Sequence, residues 1–269
     1  PSAEVFPAPG VRVQWTPARD YVEVPLDLLL PIKPLALAKT RLRAAVDGRD
    51  DPAAHSRLVV ALAQDTAAAA AGAALVRRTV VVCSDMRVCR MLAVAGIETV
   101  AGEPGTGLNS ALRYGEVLLR AANPATAVAA MPADLPALRP GELDCAVGDA
   151  LATGGRAFCV DAAGTGTTLL VAAPGCALDP RFGPGSAAAH RASGARQLAG
   201  HWPGLRCDVD TAADLAQACQ LGLGRFTRAA LKTPRAGISL SGEPTVYPAT
   251  SPDTRQWLGE PAPHSADQP

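Results

Sequence analysis

The sequence predicts an α/β domain built on a mostly parallel sheet, and three observations carry that reading. Short, continuous apolar runs recur, among them Leu28-Leu29-Leu30, Val80-Val81-Val82 and residues 126–131. Such runs suit strands covered on both faces. Between them lie alanine-rich stretches with apolar residues at helical spacing. The chain is also long enough, at 269 residues with 48% apolar side chains, to bury one sizeable core.

Composition removes several function classes. Twenty-five basic side chains face 25 acidic ones, so a nucleic-acid binder working through a broad basic face is excluded and any electropositive function must be local. The seven cysteines are odd in number, scattered through apolar segments and lack a C-x-x-C pair. They read as free thiols in a reducing compartment, not as a zinc site or a disulfide framework. No apolar run reaches the roughly 18 residues of a membrane span, and the start of the sequence lacks a secretory pattern. A soluble cytoplasmic protein without a membrane partner is expected.

Taken in order, residues 1–22 show no periodicity and read as a flexible extension, with a single domain over 23–224. Residues 23–30 form the first strand, which Pro31 and Pro34 should stop. Lys33, Lys39 and Arg41 follow within nine residues, leading into a helical segment. Converging cations between a strand and a helix start can hold phosphate oxygens, although a solvated loop would look similar. A helix is expected over about 51–74, a strand over 79–83, and a helix capped by Ser84-Asp85 and running to about 95. A short strand over 96–100 precedes a glycine-rich loop with Gly102, Gly105, Gly107 and Asn109, then a helix over 110–122. Glycines let backbone approach a ligand, but this spacing is neither the dinucleotide fingerprint nor a P-loop.

Residues 126–131 form a buried strand ending in Pro132-Ala133-Asp134-Leu135-Pro136. Ligands in open α/β sheets bind beyond the carboxyl ends of strands, where Asp134 lies; it could equally cap the next helix or turn. Residues 157–161 and 167–173 read as a hairpin joined by Ala-Gly-Thr-Gly. Gly183, Gly185 and Ser186 open a helix carrying His190 and make a second anion-cradle candidate, or a plain Ser N-cap. Residues 205–209 read as a strand that would place Asp208 and Asp210 on one face. Two acids side by side repel unless a cation lies between them, which suits Mg²⁺ or Mn²⁺. Thr211-x-x-Asp214 is a capping-box variant for a helix over 212–221. Residues 225–269 are proline-rich and read as a tail, either laid across the surface or disordered.

The segments PIKPLALAKTRL, GEPGTGLNSAL, MPADLPAL, GTGTTLL, RFGPGSAAAH and CDVDTAADL occur in that order. Together, over about residues 24–221, they resemble the guanylyltransferase family that makes the first phosphodiester intermediate of the deazaflavin coenzyme F(420). The resemblance implies a nucleotide-diphospho-sugar transferase-type, Rossmann-like three-layer sandwich with a small β-hairpin beside the site. It implies transfer of GMP from GTP to a small phosphorylated carboxylic acid: phosphoenolpyruvate here, with 2-phospho-L-lactate or 3-phospho-D-glycerate as alternatives, and the product passed to the next pathway enzyme. Another nucleotidyltransferase or a non-catalytic GTP-binding protein of the same fold are the rival readings. By resemblance, Thr168, Gly183 and Ser186 hold the acceptor. Asp134, Asp208 and Asp210 bind Mg²⁺, Lys33, Lys39 and Arg41 contact the GTP phosphates, and the Gly102–Asn109 loop reads guanine.

Overall fold

The computed structural model describes residues 26–32, 42, 52–100 and 107–232, all of which fall within one compact unit. The N-terminal extension, most of the proline-rich tail, the cations Lys33, Lys39 and Arg41, and Gly102 and Gly105 lie outside them.

Strands and helices alternate as the periodicity predicts. In order they are β1 (Leu26–Ile32), α1 (Pro52–Ala71), β2 (Val76–Cys83), α2 (Met86–Val94), β3 (Glu98–Val100), α3 (Leu108–Ala122), β4 (Ala127–Ala130) and α4 (Pro140–Ala152). Then follow β5 (Arg156–Val160), β6 (Thr167–Ala172), α5 (Ser186–Ala192), β7 (Arg196–Gln197), α6 (Pro203–Arg206), α7 (Ala212–Leu221) and α8 (Arg225–Lys232). The described strands make one seven-stranded sheet in the order β3-β2-β1-β4-β6-β5-β7. Only β6 runs against its neighbours β4 and β5; the remaining described pairings are parallel.

Alternate strand residues face two apolar layers. Leu28, Leu30, Val81, Ala129 and Met131 pack with α1, α2 and α4, whereas Leu29, Val82, Val128, Ala130 and Phe158 pack with α3 and α5. This is the three-layer arrangement, with both sheet faces covered, that the unbroken apolar runs require. A third cluster, including Leu58, Leu62, Val209 and Leu215, seats α7 beside α1.

Two expectations are corrected. Pro31 does not end β1, which continues through Ile32 and pairs Pro31 with Val82 of β2. The reason is positional. Leu29 C=O accepts from Met131 N–H, so odd-numbered residues of β1 turn toward β4. The β1–β4 pairing ends at Leu29 and Ala130, so a missing N–H at position 31 costs no ladder bond. The expected hairpin is formed by β5 and β6, which pair antiparallel and join the central sheet through β4. Residues 205–209 are not a strand: Pro203 opens the short helix α6, and Val209 N–H donates to Asp134 C=O (3.1 Å) instead of to a sheet neighbour. Beyond residue 224 the chain forms α8. The Asp65 carboxylate of α1 accepts from Phe226 and Thr227 N–H (2.9 and 2.7 Å), capping that helix from 161 and 162 residues away.

Candidate functional site

The carboxyl ends of β1 and β4 open onto a cavity of about 420 Å³, within the range of small-molecule sites, roughly 300–1,000 Å³. Pro31 and Ile32 form part of its floor, with Pro132, Ala133 and Asp134 beside them. Asp161, Thr165 and Gly166 from the β5–β6 connection, with Thr167 at the start of β6, make a second wall. Gly183, Pro184, Gly185 and Ser186 make a third, and Asp208 and Asp210 a fourth. This is where the sheet topology places ligands in open α/β folds.

The acidic residues reach the cavity by different routes. Asp134 follows β4 directly, in a loop whose Leu135 N–H donates to the buried Thr66 hydroxyl (2.9 Å). The bond from Val209 N–H to Asp134 C=O pins the Asp208–Asp210 segment alongside that loop. The helix cap after it belongs to Thr211 and Asp214: the Asp214 carboxylate accepts from Thr211 N–H (2.8 Å) and from Asp210 N–H (3.1 Å). Asp210 thus enters the cap through its backbone. The sequence reasoning missed Asp161, whose carboxylate accepts from Thr165 N–H (2.9 Å) and shapes the connection that lines the cavity. Its signal was available: an aspartate ending a buried strand just before a glycine-rich turn.

Four lining carboxylates and no lining Lys or Arg among the described residues leave these walls anionic. Hard carboxylate oxygens of this kind suit Mg²⁺ or Mn²⁺. No group of three or more His, Cys, Asp or Glu side chains among the described residues converges as a ready metal cage.

In the wall that leads into α5, Gly183 has φ 137° and Gly185 has φ 71°, backbone that a side chain at either position would strain. The first amides of α5 are already used: Ser186 N–H donates to Gly183 C=O and Ala187 N–H to Thr165 C=O (both 3.1 Å). Ser186 is buried and lines the cavity. Thr168 is fully buried in β6, and the lining residue of that strand is its neighbour Thr167. His190 fixes this wall from behind. It accepts Arg181 N–H at Nε2 (2.9 Å), so Nδ1 carries the proton and donates to the Thr167 hydroxyl (2.9 Å). Burial holds the imidazole neutral, with its pKa pushed down to about 4. Phe182 meets it edge-on, ring centres 5.2 Å apart.

Among the glycine-loop residues, Gly107 is the N-cap of α3, with φ 104°. The Asn109 amide is engaged at both ends with the Phe182 backbone: Nδ2 donates to Phe182 C=O (2.9 Å) and Oδ1 accepts from Phe182 N–H (2.8 Å). The buried thiols of Cys159 and Cys207 are poor nucleophiles, because burial pushes both up to about 11.

No family model matches the chain. The fold is nevertheless of the nucleotide-diphospho-sugar transferase type. A Desulfovibrio desulfuricans G20 structure described as a candidate nucleotide-diphospho-sugar transferase matches with TM-score 0.52, over 71% of this chain and 84% of that one, at 19% identity. At the level of sequence the relationship is much nearer. The phosphoenolpyruvate guanylyltransferase of Streptomyces scabiei (strain 87.22) is 51% identical over 224 residues, spanning 81% of this chain and 96% of that relative. The phosphoenolpyruvate guanylyltransferase of Salinispora arenicola (strain CNS-205) is 48% identical over 217 residues, spanning 79% and 97% respectively. The chain belongs to the phosphoenolpyruvate guanylyltransferase family.

Proposed function

We propose that this chain transfers the guanylyl group of GTP to the phosphate of phosphoenolpyruvate, releasing pyrophosphate and forming enolpyruvyl-2-diphospho-5'-guanosine for coenzyme F(420) biosynthesis. The observation that carries the reading is one cavity at the carboxyl ends of β1 and β4. It is lined by Asp134, Asp208 and Asp210 on one side and the Gly183–Ser186 turn on the other. The choice of acceptor rests on the family.

In the reaction, an acceptor phosphate oxygen attacks the α-phosphorus of GTP. The new P–O bond forms as the bond from the α-phosphorus to the bridging β-phosphate oxygen breaks, and pyrophosphate leaves in line. The nucleophile is already ionised near neutral pH, so no general base is required. What the chain must supply is orientation and charge balance. Gly183 and Ser186 seat the acceptor together with β6, where Thr168 lies buried next to the lining Thr167. Asp134, Asp208 and Asp210 are the residues that would hold Mg²⁺, or Mn²⁺. Once bound, the ion supplies shielding between the two reacting phosphates. Lys33, Lys39 and Arg41 are assigned to the GTP phosphates, and Gly102, Gly105 and Gly107 to the approach of the guanine base. The enzyme works in the cytoplasm on these small molecules and passes its product to the next enzyme.

The test is pyrophosphate release from GTP and phosphoenolpyruvate with Mg²⁺, comparing the parent chain with Asp210→Asn. The variant should turn over at least about a hundredfold more slowly, the scale of losing one electrostatic stabiliser. A folded variant with near-parental turnover would remove Asp210 from the mechanism.

A further inference from the structure

One face of α3 holds the segment that leads into the acceptor turn. Asn109, Arg113, Glu116 and Arg120 are spaced i, i+4, i+7 and i+11, so they form one stripe along the helix. Together they grip the backbone of every second residue of the segment 176–182, one residue each and in the opposite direction. Arg120 donates to Cys176 C=O, and the Glu116 carboxylate accepts from Leu178 N–H (2.8 Å). Arg113 donates to Pro180 C=O (3.4 Å), and Asn109 closes two bonds on Phe182. The segment is held from its other side as well. Asp179, at φ 45°, accepts from Arg156 of β5 (2.9 Å), and His190 accepts from Arg181 N–H.

Asn109 is the rung nearest the cavity. Its chain neighbour Leu108 lines the cavity, as do Phe182 and Gly183. A carboxamide matched to both backbone groups of one residue replaces the strand partner that Phe182 lacks, and fixes the direction in which the chain enters Gly183. We propose that Asn109 is a positioning residue for the acceptor turn, working through Phe182, and not a reader of the guanine base. The proposal rests on the guanylyltransferase reading for its kinetic consequence, while its structural consequence is independent of that reading.

Two measurements separate the two. Loss of two neutral hydrogen bonds of ordinary strength is worth about tenfold or more. Asn109→Ala should therefore raise KM for phosphoenolpyruvate about tenfold or more and leave KM for GTP within about threefold. Asn109→Asp keeps an acceptor for Phe182 N–H but sets a carboxylate oxygen against Phe182 C=O, so it should fall between the two. A rise in KM for GTP with KM for phosphoenolpyruvate unchanged would overturn the proposal in favour of base reading. Hydrogen exchange on the free protein reads the same contact without any substrate: the Phe182 amide should exchange about tenfold or more faster in Asn109→Ala, with Leu178 unchanged. An unaltered Phe182 exchange rate would overturn the positioning role, even if the parent chain proved silent with every acceptor. Faster exchange in a silent parent would uphold the contact and count against the guanylyltransferase reading alone.

Discussion

At the scale of single residues, the buried polar groups around the cavity act by fixing backbone, and His190 shows the energetic consequence. Its Nε2 must be unprotonated to accept Arg181 N–H, and its side chain is fully buried. The folded pKa of about 4 lies below the ordinary 6.5, so the unfolded chain binds the extra proton first as pH falls. Stability from this residue is therefore complete above about pH 6.5 and is lost progressively toward pH 4, amounting to at most about 3 kcal/mol. Urea unfolding of the parent chain should show that decline. His190→Gln should start from lower stability and show a flatter profile across the same window. An equally steep decline in the variant would assign the acid sensitivity elsewhere. Asp179 stands on the opposite footing. Partial burial works against its charge, yet hydrogen bonds from Arg156 and Arg181 outweigh it and hold the carboxyl below its usual range.

Among the elements, α3 is the one that holds the segment 176–182, and its closeness to the sheet rests on Gly115. A Cβ there would come within 2.8 Å of Leu29 Cδ2 and 3.0 Å of Val82 Cγ2, both belonging to buried side chains of the sheet. Alanine would gain up to about 1 kcal/mol in helix propensity, but forcing a methyl into packed side chains costs about 1–3 kcal/mol. Gly115→Ala should thus lower Tm by several degrees, measured by calorimetry, and a rise in Tm would mean that α3 can shift outward freely. Much of this level was legible in the sequence. The Asp85 cap, whose carboxylate accepts from Arg87 N–H (2.9 Å), and the Thr211–Asp214 box are local signals and fall where expected. What could not be read was every contact made at long range. Asp65 caps α8, Glu142 accepts from Leu205 N–H (2.9 Å), Asp144 accepts from Leu75 N–H (2.8 Å), and Glu116 accepts from Leu178 N–H. Each is a single carboxylate on a helix whose target lies 62 to 162 residues away, and no periodicity encodes such a pairing. The α4 helix and the two-residue β7 escaped notice for a related reason: both are fixed by packing on the sheet more than by their own pattern.

For the whole molecule, the arrangement separates two tasks. The parallel half of the sheet, β3-β2-β1-β4, carries Asp134 at its carboxyl edge, and the antiparallel strand β6 turns the chain back so that Thr167 and the β5–β6 connection face the same cavity. Asp208 and Asp210 reach it from a segment outside the sheet, where a strand was expected, and the bond from Val209 N–H to Asp134 C=O holds that segment alongside the Asp134 loop. The described helices include none long and apolar enough to cross a membrane. The described cysteines form no disulfide, and Cys83, Cys89, Cys159 and Cys207 are buried.

Guanylyl transfer to a phosphorylated carboxylic acid is the reaction proposed for this cavity, and the sharpest experiment tracks the label. GTP labelled at its α-phosphorus would be incubated with Mg²⁺ and, one at a time, phosphoenolpyruvate, 2-phospho-L-lactate and 3-phospho-D-glycerate. The next enzyme of the pathway would be present to trap an unstable product, and pyrophosphate would be measured in parallel. Label transfer with stoichiometric pyrophosphate, fastest with phosphoenolpyruvate, is the expected result. Preference for one of the other two acids would keep the reaction and change the substrate. Tight GTP binding with no label transferred to any of the three would contradict guanylyl transfer itself.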